Sequence, residues 1–160
     1  MTKILIPSGA LGLGFDREAW AEGVRQSPDL IAIDGGSTDS GPHYLGTGTS
    51  KYSRGSVKAE WAELMAARAE AGVPLVIGTS GTCGADSAVD WLAEITREIA
   101  DETGQSLKVA VLKSGQDGSD MANALERGRI APLVPAPEIS PDLLKACTNI
   151  VALAGIEQIQ

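Results

Sequence analysis

Short apolar runs, each ending in glycine and hydroxyl residues and separated by amphipathic stretches, constrain this chain more than any other feature. The runs span 3–7, 30–34, 73–77, 107–112 and 149–153, with a weaker one at 132–134 inside the proline-rich stretch 130–141. Between them lie helical patterns. One starts after Asp16 and stops at Ser27 and Pro28, because the residue before proline is pushed out of the helical region. A second covers 56–71, with Val57, Trp61, Leu64 and Met65 at spacings of three and four and Gly72 as its C-terminal stop. A third covers 87–103, with Val89, Leu92, Ile95 and Ile99 on one stripe, and a fourth ends near Gly128. Ser140 followed by Pro141 has the form of an N-cap with proline at the first helical position. A last helix begins at 154 and is cut short at Gln160, as expected of a chain that normally continues.

Strand and helix patterns in alternation predict successive βα units in a single α/β domain over 1–160. Apolar runs as continuous as Leu30–Ile33 and Leu75–Ile77 predict a mostly parallel sheet covered by helices on both faces, a three-layer αβα arrangement. In such sheets ligands bind outside the carboxyl ends of the strands. The chemistry is therefore expected in the glycine- and hydroxyl-bearing turns.

Charge and composition narrow the classes of partner. A formal charge of −8 opposes nucleic acid and anionic membranes, and no apolar run approaches the length of a membrane helix. One histidine and two isolated cysteines, Cys83 and Cys147, build no zinc or haem site. With no secretory leader pattern at Met1, the cytoplasm is the expected compartment and no disulfide is expected. Cys147 is expected in the core. Cys83, in a turn before a helix, is either a reactive thiol or a small buried one.

The segment 34–42 is the richest. Asp34 closes an apolar strand, where a carboxylate requires donors, a cation or a ligand. Gly35 and Gly36 allow backbone amides close to an anion, and Ser37 and Thr38 add hydroxyls. The bland alternative is a turn in which Asp34 caps local amides. Asp34, Asp39 and His43 are the candidate catalytic groups, because a lone His beside carboxylates and Tyr44 has the chemistry of an acid or base. Gly9, Thr79, Ser80, Gly81 and Lys113 join the candidate ligand contacts, Lys113 with an ordinary ion pair as its alternative. Asp34, Asp39 and Asp86 carry oxygen ligands of the kind Mg²⁺ takes. The spacing of Gly9, Gly12 and Gly14 differs from a dinucleotide fingerprint, and Gly78–Gly84 lacks the Lys of a phosphate loop. The string Ile33–Thr38 also resembles the phosphate loop of actin-like ATPases, but Pro42, His43 and Tyr44 follow where a hairpin strand belongs.

Several strings together resemble the N-terminal region of the acyclic terpene utilisation (AtuA-like) family. They are Pro7–Phe15, Ile31–Pro42, Tyr44–Gly48, Ile77–Gly81, Gly84–Asp86 and Asn149–Glu157, and the likeness spans essentially all 160 residues. His43 stands where the family pattern often has Tyr. The resemblance implies catabolism of acyclic terpenes or of other branched or small carboxylic compounds; the polar loops gathered at one sheet edge are expected to serve a lyase, hydratase or isomerase acting on a carboxylate or acyl-CoA. The resemblance also implies a longer chain or companion subunit completing the site, and a homo-oligomer. A nucleotide- or metabolite-binding module without catalysis, and a subunit or fragment that functions only with its other half, are the alternatives.

Overall fold

The computed structural model describes residues 1–36 and 41–159. Strand β1 (Ile4–Leu5) leads through a glycine-bearing loop to α1 (Arg17–Arg25), then β2 (Leu30–Asp34), α2 (His43–Thr47) and α3 (Arg54–Ala71). Strand β3 (Leu75–Gly78) follows, with a single 3-10 turn at Ser80–Thr82 before α4 (Asp86–Thr103), α5 (Gly118–Glu126) and α6 (Pro141–Ala146). The three strands form a parallel sheet in the order β1-β2-β3, so the chain is of the α/β class. Register pairs Leu5 with Ile31, Ile33 with Ile77 and Asp34 with Gly78.

Local signals place the helices close to where the pattern predicts. The Asp16 carboxylate accepts from the Ala19 amide to start α1, and Ser53 does the same from Ser56 for α3. Ser140 caps α6 with Pro141 in its first turn, and Gly72, in the left-handed region at φ 68°, closes α3. Strand order and a single hand of crossover then put α1 and α3 on one face of the sheet. There Ile33 packs with Val57, Trp61, Leu64 and Met65 of α3 and Leu92, Ile95 and Ile99 of α4. Each such side chain removed from water stabilises the fold by ~1.5–3 kcal/mol. The indole N–H of Trp61 donates to the Thr96 hydroxyl at 2.9 Å, and that hydroxyl donates to the Leu92 carbonyl, which joins the two long helices inside the core.

Beyond α4 the pattern and the fold part company. Residues 107–112 form no strand: Leu107 packs on the core, but Val109, Val111 and Leu112 stand 54%, 48% and 43% exposed. Residues 149–153 do not extend the parallel sheet. Val151 instead makes an isolated antiparallel bridge to Gly115, flanked by bonds from Gln116 N–H to the Ile150 carbonyl and from Ala152 N–H to the Ser114 carbonyl. That pairing ties them to a loop, away from the sheet. Leu133 and Val134 are exposed and unstranded. Cys147, expected in the core, is exposed: it caps the six-residue α6, which buries none of its own residues. The terminal helical pattern is a 3-10 turn at Ile156–Gln158. No helix among the described residues is long and apolar enough to cross a membrane.

Candidate functional site

Parallel pairing sends the loops after all three strands out of one edge of the sheet, and hydrogen bonds stitch them together there. The Leu11 amide donates to the Asp34 carbonyl at 2.8 Å, the Gly35 amide to the Gly78 carbonyl at 2.5 Å and the Thr82 amide to the Gly35 carbonyl at 3.0 Å. The stitching demands glycine. A Cβ on Gly35 would lie 2.5 Å from the Gly78 oxygen and 2.9 Å from Ser80 Cα, and one on Gly36, at φ 132°, would lie 2.5 Å from Thr82 Cα. Asp34 and Ser80 therefore belong to the same rim.

That rim is stratified. Asp34, Gly78 and Thr79 are exposed, while Gly35, Gly36, Ser80, Gly81 and Thr82 are buried beneath them. The exposed Asp34 carboxylate accepts from the Gly36 amide at 2.9 Å, so the turn reading and the rim position hold together. Because the Gly35 and Gly36 amides already have acceptors, these glycines contribute close approach of the loops rather than free N–H donors. Thr79 and Thr82 both adopt the left-handed region, at φ 52° and 79°. For β-branched residues this costs of order 1–3 kcal/mol each, and the stitched loops impose it. Thr82 is 1% exposed, and its hydroxyl accepts from the Lys51 amide at 3.3 Å.

Helix α2 rests on this rim. Tyr44 and Leu45 pack on Cys83, Ala85 and Ala88, so Cys83 is a buried small thiol in an apolar cluster. His43 is exposed at the start of α2, with its ring edge-on to Tyr44 at 5.2 Å. Ser37, Thr38 and Asp39 lie outside the described residues. Gly9 is exposed in the loop after β1, with open space around it. Lys113 pairs with Asp90 at 2.7 Å, and this bond raises its pKa above the usual lysine value. Asp86 accepts from the Gly115 amide at 3.0 Å, which places the 113–116 loop at the start of α4. Among the described residues no three His, Cys, Asp or Glu side chains gather as a metal site.

Two features escape sequence reasoning. The first is Glu60 of α3, only 7% exposed. Its two oxygens accept from the Gly12 amide at 2.6 Å and the Gly14 amide at 2.8 Å. The glycine loop after β1 thus cradles an anion that belongs to the protein itself. A glutamate within a helical stretch of mixed polarity carries no sequence signal for this. The second is a cleft of about 410 Å³ lined by Thr49, Ser50, Tyr52, Arg54, Ser87 and Trp91, with Gly48 and Ala88. It adjoins the Ser80–Thr82 turn, since a Cβ on Gly81 would touch Ala88 at 2.7 Å and Trp91 at 3.8 Å. Beside it Glu98 pairs with Arg54 and with Lys58, and Lys58 also reaches Glu102 at 2.7 Å. Bonds from Arg54 and Lys58 hold the Glu98 carboxyl down at about 2.

No family model, curated protein or solved structure matches the chain.

Proposed function

We propose that the chain is part of a cytosolic catabolic enzyme acting on a small carboxylate or its acyl-CoA thioester, by lyase, hydratase or isomerase chemistry. The observation that supports this most is the stitched rim. It holds an exposed carboxylate, Asp34, beside threonines kept in a strained backbone, and such strain concentrates at pre-organised sites. Asp34 acts as the base that removes a proton next to the substrate carbonyl; were Mg²⁺ used, Asp34 would be one of its oxygen ligands and the ion would supply polarisation of that carbonyl. Thr79 and the hydroxyls of the 37–40 segment orient the carboxylate, and His43 or Asp39 returns the proton. Resemblance to the acyclic terpene utilisation family supplies the substrate class, and the described residues 31–36 and 77–81 of the strings that carry it lie at this rim.

The test is Asp34→Asn, assayed by mass spectrometry on a panel of short branched carboxylates and their CoA thioesters. Asparagine keeps an oxygen for the Gly36 amide, so the fold is retained. Turnover is expected to fall by ~10²-fold or more. Unchanged turnover by a folded variant removes Asp34 from the mechanism.

A second reading, that the chain works only with a companion region or a second copy, is favoured by exposed Ile4, Ile6, Val109 and Val111. The companion covers the open face of the sheet and completes a three-layer αβα molecule. Size-exclusion chromatography of the chain with and without its companion region separates the two readings.

A further inference from the structure

We propose that the cleft between residues 48–54 and the first turns of α4 is a binding site for an uncharged flat ring that carries a hydrogen-bond acceptor, such as an aromatic amide. Its volume, about 410 Å³, falls within the range of small-molecule sites. The chain has only three Trp, two Tyr and one Phe, yet one Trp and one Tyr line this cleft. Trp61 is accounted for by the core and by its bond to Thr96, and Trp20 by its tilted contact with Phe15. Trp91 packs against the core cluster and also lines the cleft, and among the described residues its indole N–H meets no acceptor. An indole anchored by packing, with a donor left over, suits a flat ring that brings an acceptor.

Charge decides that the ring is neutral. Among the described residues Arg54 is the one charged side chain of the lining, and its guanidinium is already bonded to Glu98, with Glu94 and Glu102 beside it. An anion entering the cleft therefore finds no unpaired cation, and the net charge of −8 opposes it as well. Among the described residues no Asp or Glu lines the cleft either, so a cation gains no partner there. An ion of either sign would lose hydration without compensation, a cost that an uncharged ring does not carry. The lining hydroxyls are mostly committed to the protein. That of Thr49 is shared with Thr47 at 2.7 Å, and that of Ser50 with the Tyr52 backbone at 3.1 and 3.3 Å. Ser87 donates only weakly, to the Gly48 carbonyl at 3.4 Å, so its hydroxyl and the Trp91 N–H are left to meet a ligand acceptor. The site lies across the Ser80–Thr82 turn from Asp34 and does not depend on the role given to Asp34.

Benzamide is the probe, titrated into the full chain by calorimetry and by the NMR shift of the Trp91 indole N–H, a resonance that Trp91→Phe identifies by its loss. Among the controls, benzoate adds a charge, acetamide removes the ring and cyclohexanecarboxamide removes its flatness. Benzamide is expected to bind at least about tenfold more tightly than benzoate or acetamide, a difference of ~1.4 kcal/mol, and more tightly than cyclohexanecarboxamide. Ser87→Leu fills the cleft from an exposed position and is expected to abolish the indole shift while the circular dichroism spectrum is retained. Trp91→Phe keeps a ring without the donor and is expected to weaken benzamide severalfold. Benzoate binding as tightly as benzamide, or more tightly, overturns the neutral assignment. Equal affinity for benzamide and acetamide, or full benzamide binding by folded Ser87→Leu, overturns the site. An absence of benzamide binding to the wild-type chain at millimolar concentration overturns it as well.

Discussion

At the scale of single residues, the internal anion at Glu60 decides how the loop after β1 is held. Two part-exposed backbone amides that a mostly buried helical carboxylate satisfies lose that acceptor without it. Glu60→Gln keeps one oxygen but turns an amide NH₂ toward the second N–H, and Glu60→Ala leaves both amides bare. Destabilisation of ~1–3 kcal/mol is expected for Gln and at least as much for Ala, read from urea midpoints at constant slope. Equal stability of Glu60→Ala and wild type would mean that water replaces the carboxylate without loss. The same contact sets a limit on reading glycine loops from sequence. Gly12 and Gly14 carry the signature of an anion cradle, but nothing in their spacing says that the anion is supplied 46 to 48 residues later by the same chain.

At the scale of elements, legibility follows how local the controlling physics is. Helices α1, α3 and α4 were readable because caps, periodicity and glycine stops are written within a turn or two of each boundary. Strands β2 and β3 were readable because their apolar runs are at least half-buried, with Ile31 and Ile33 fully so. The run at 107–112 has the same composition, yet a strand also needs a partner edge, and partnership is not a local property. The rim was legible as a gathering of loops at one sheet edge, whereas the internal use of its Gly35 and Gly36 amides was not. Gly35→Ala tests the stitching: its new Cβ meets backbone atoms of 78–80 that cannot swing aside. The expected outcome is a loss of ~1–3 kcal/mol and a displaced Asp34 turn, seen as shifts of the 34–36 and 78–82 amides. The α3–α4 pair contributes to the pH dependence. The Glu98 carboxyl ordinarily titrates near 4.5 and is held at about 2, so its stabilising contribution is complete above 4.5 and fades as pH falls toward 2. Glu98→Gln is expected to flatten the acid limb of a melting-temperature profile within that window. Because Arg54 and Glu98 are partly exposed, the difference should shrink in high salt.

At the scale of the whole molecule, the chain divides by where its apolar contacts run. Ile33, Leu64, Ile95 and Ile99 share one cluster in which sheet, α3 and α4 are mutually buried, so opening any of them exposes all. Helices α5 and α6 pack chiefly on each other, with Gly118 against the Leu144 carbonyl, and α5 buries a single residue of its own, Ala122. Among the described residues, their side-chain ties to the rest pass through few bonds: Lys113 to Asp90, Gly115 to Asp86 and Asn149 to the Leu45 carbonyl. Free energies of opening should therefore differ along the chain, because cooperative units follow buried contacts. In native-state hydrogen exchange, the amides of β2, α3 and α4 are expected to exchange only through global unfolding, with one shared denaturant dependence. Those of 118–126 and 141–146 are expected to exchange faster and with a shallower dependence. The bridge at Gly115 and Val151 discriminates further, since its amides open with α5 and α6 if the pair moves as a unit. Uniform protection across both groups would show that the three polar ties couple the helical pair to the core as firmly as apolar burial does, and the division would then be wrong.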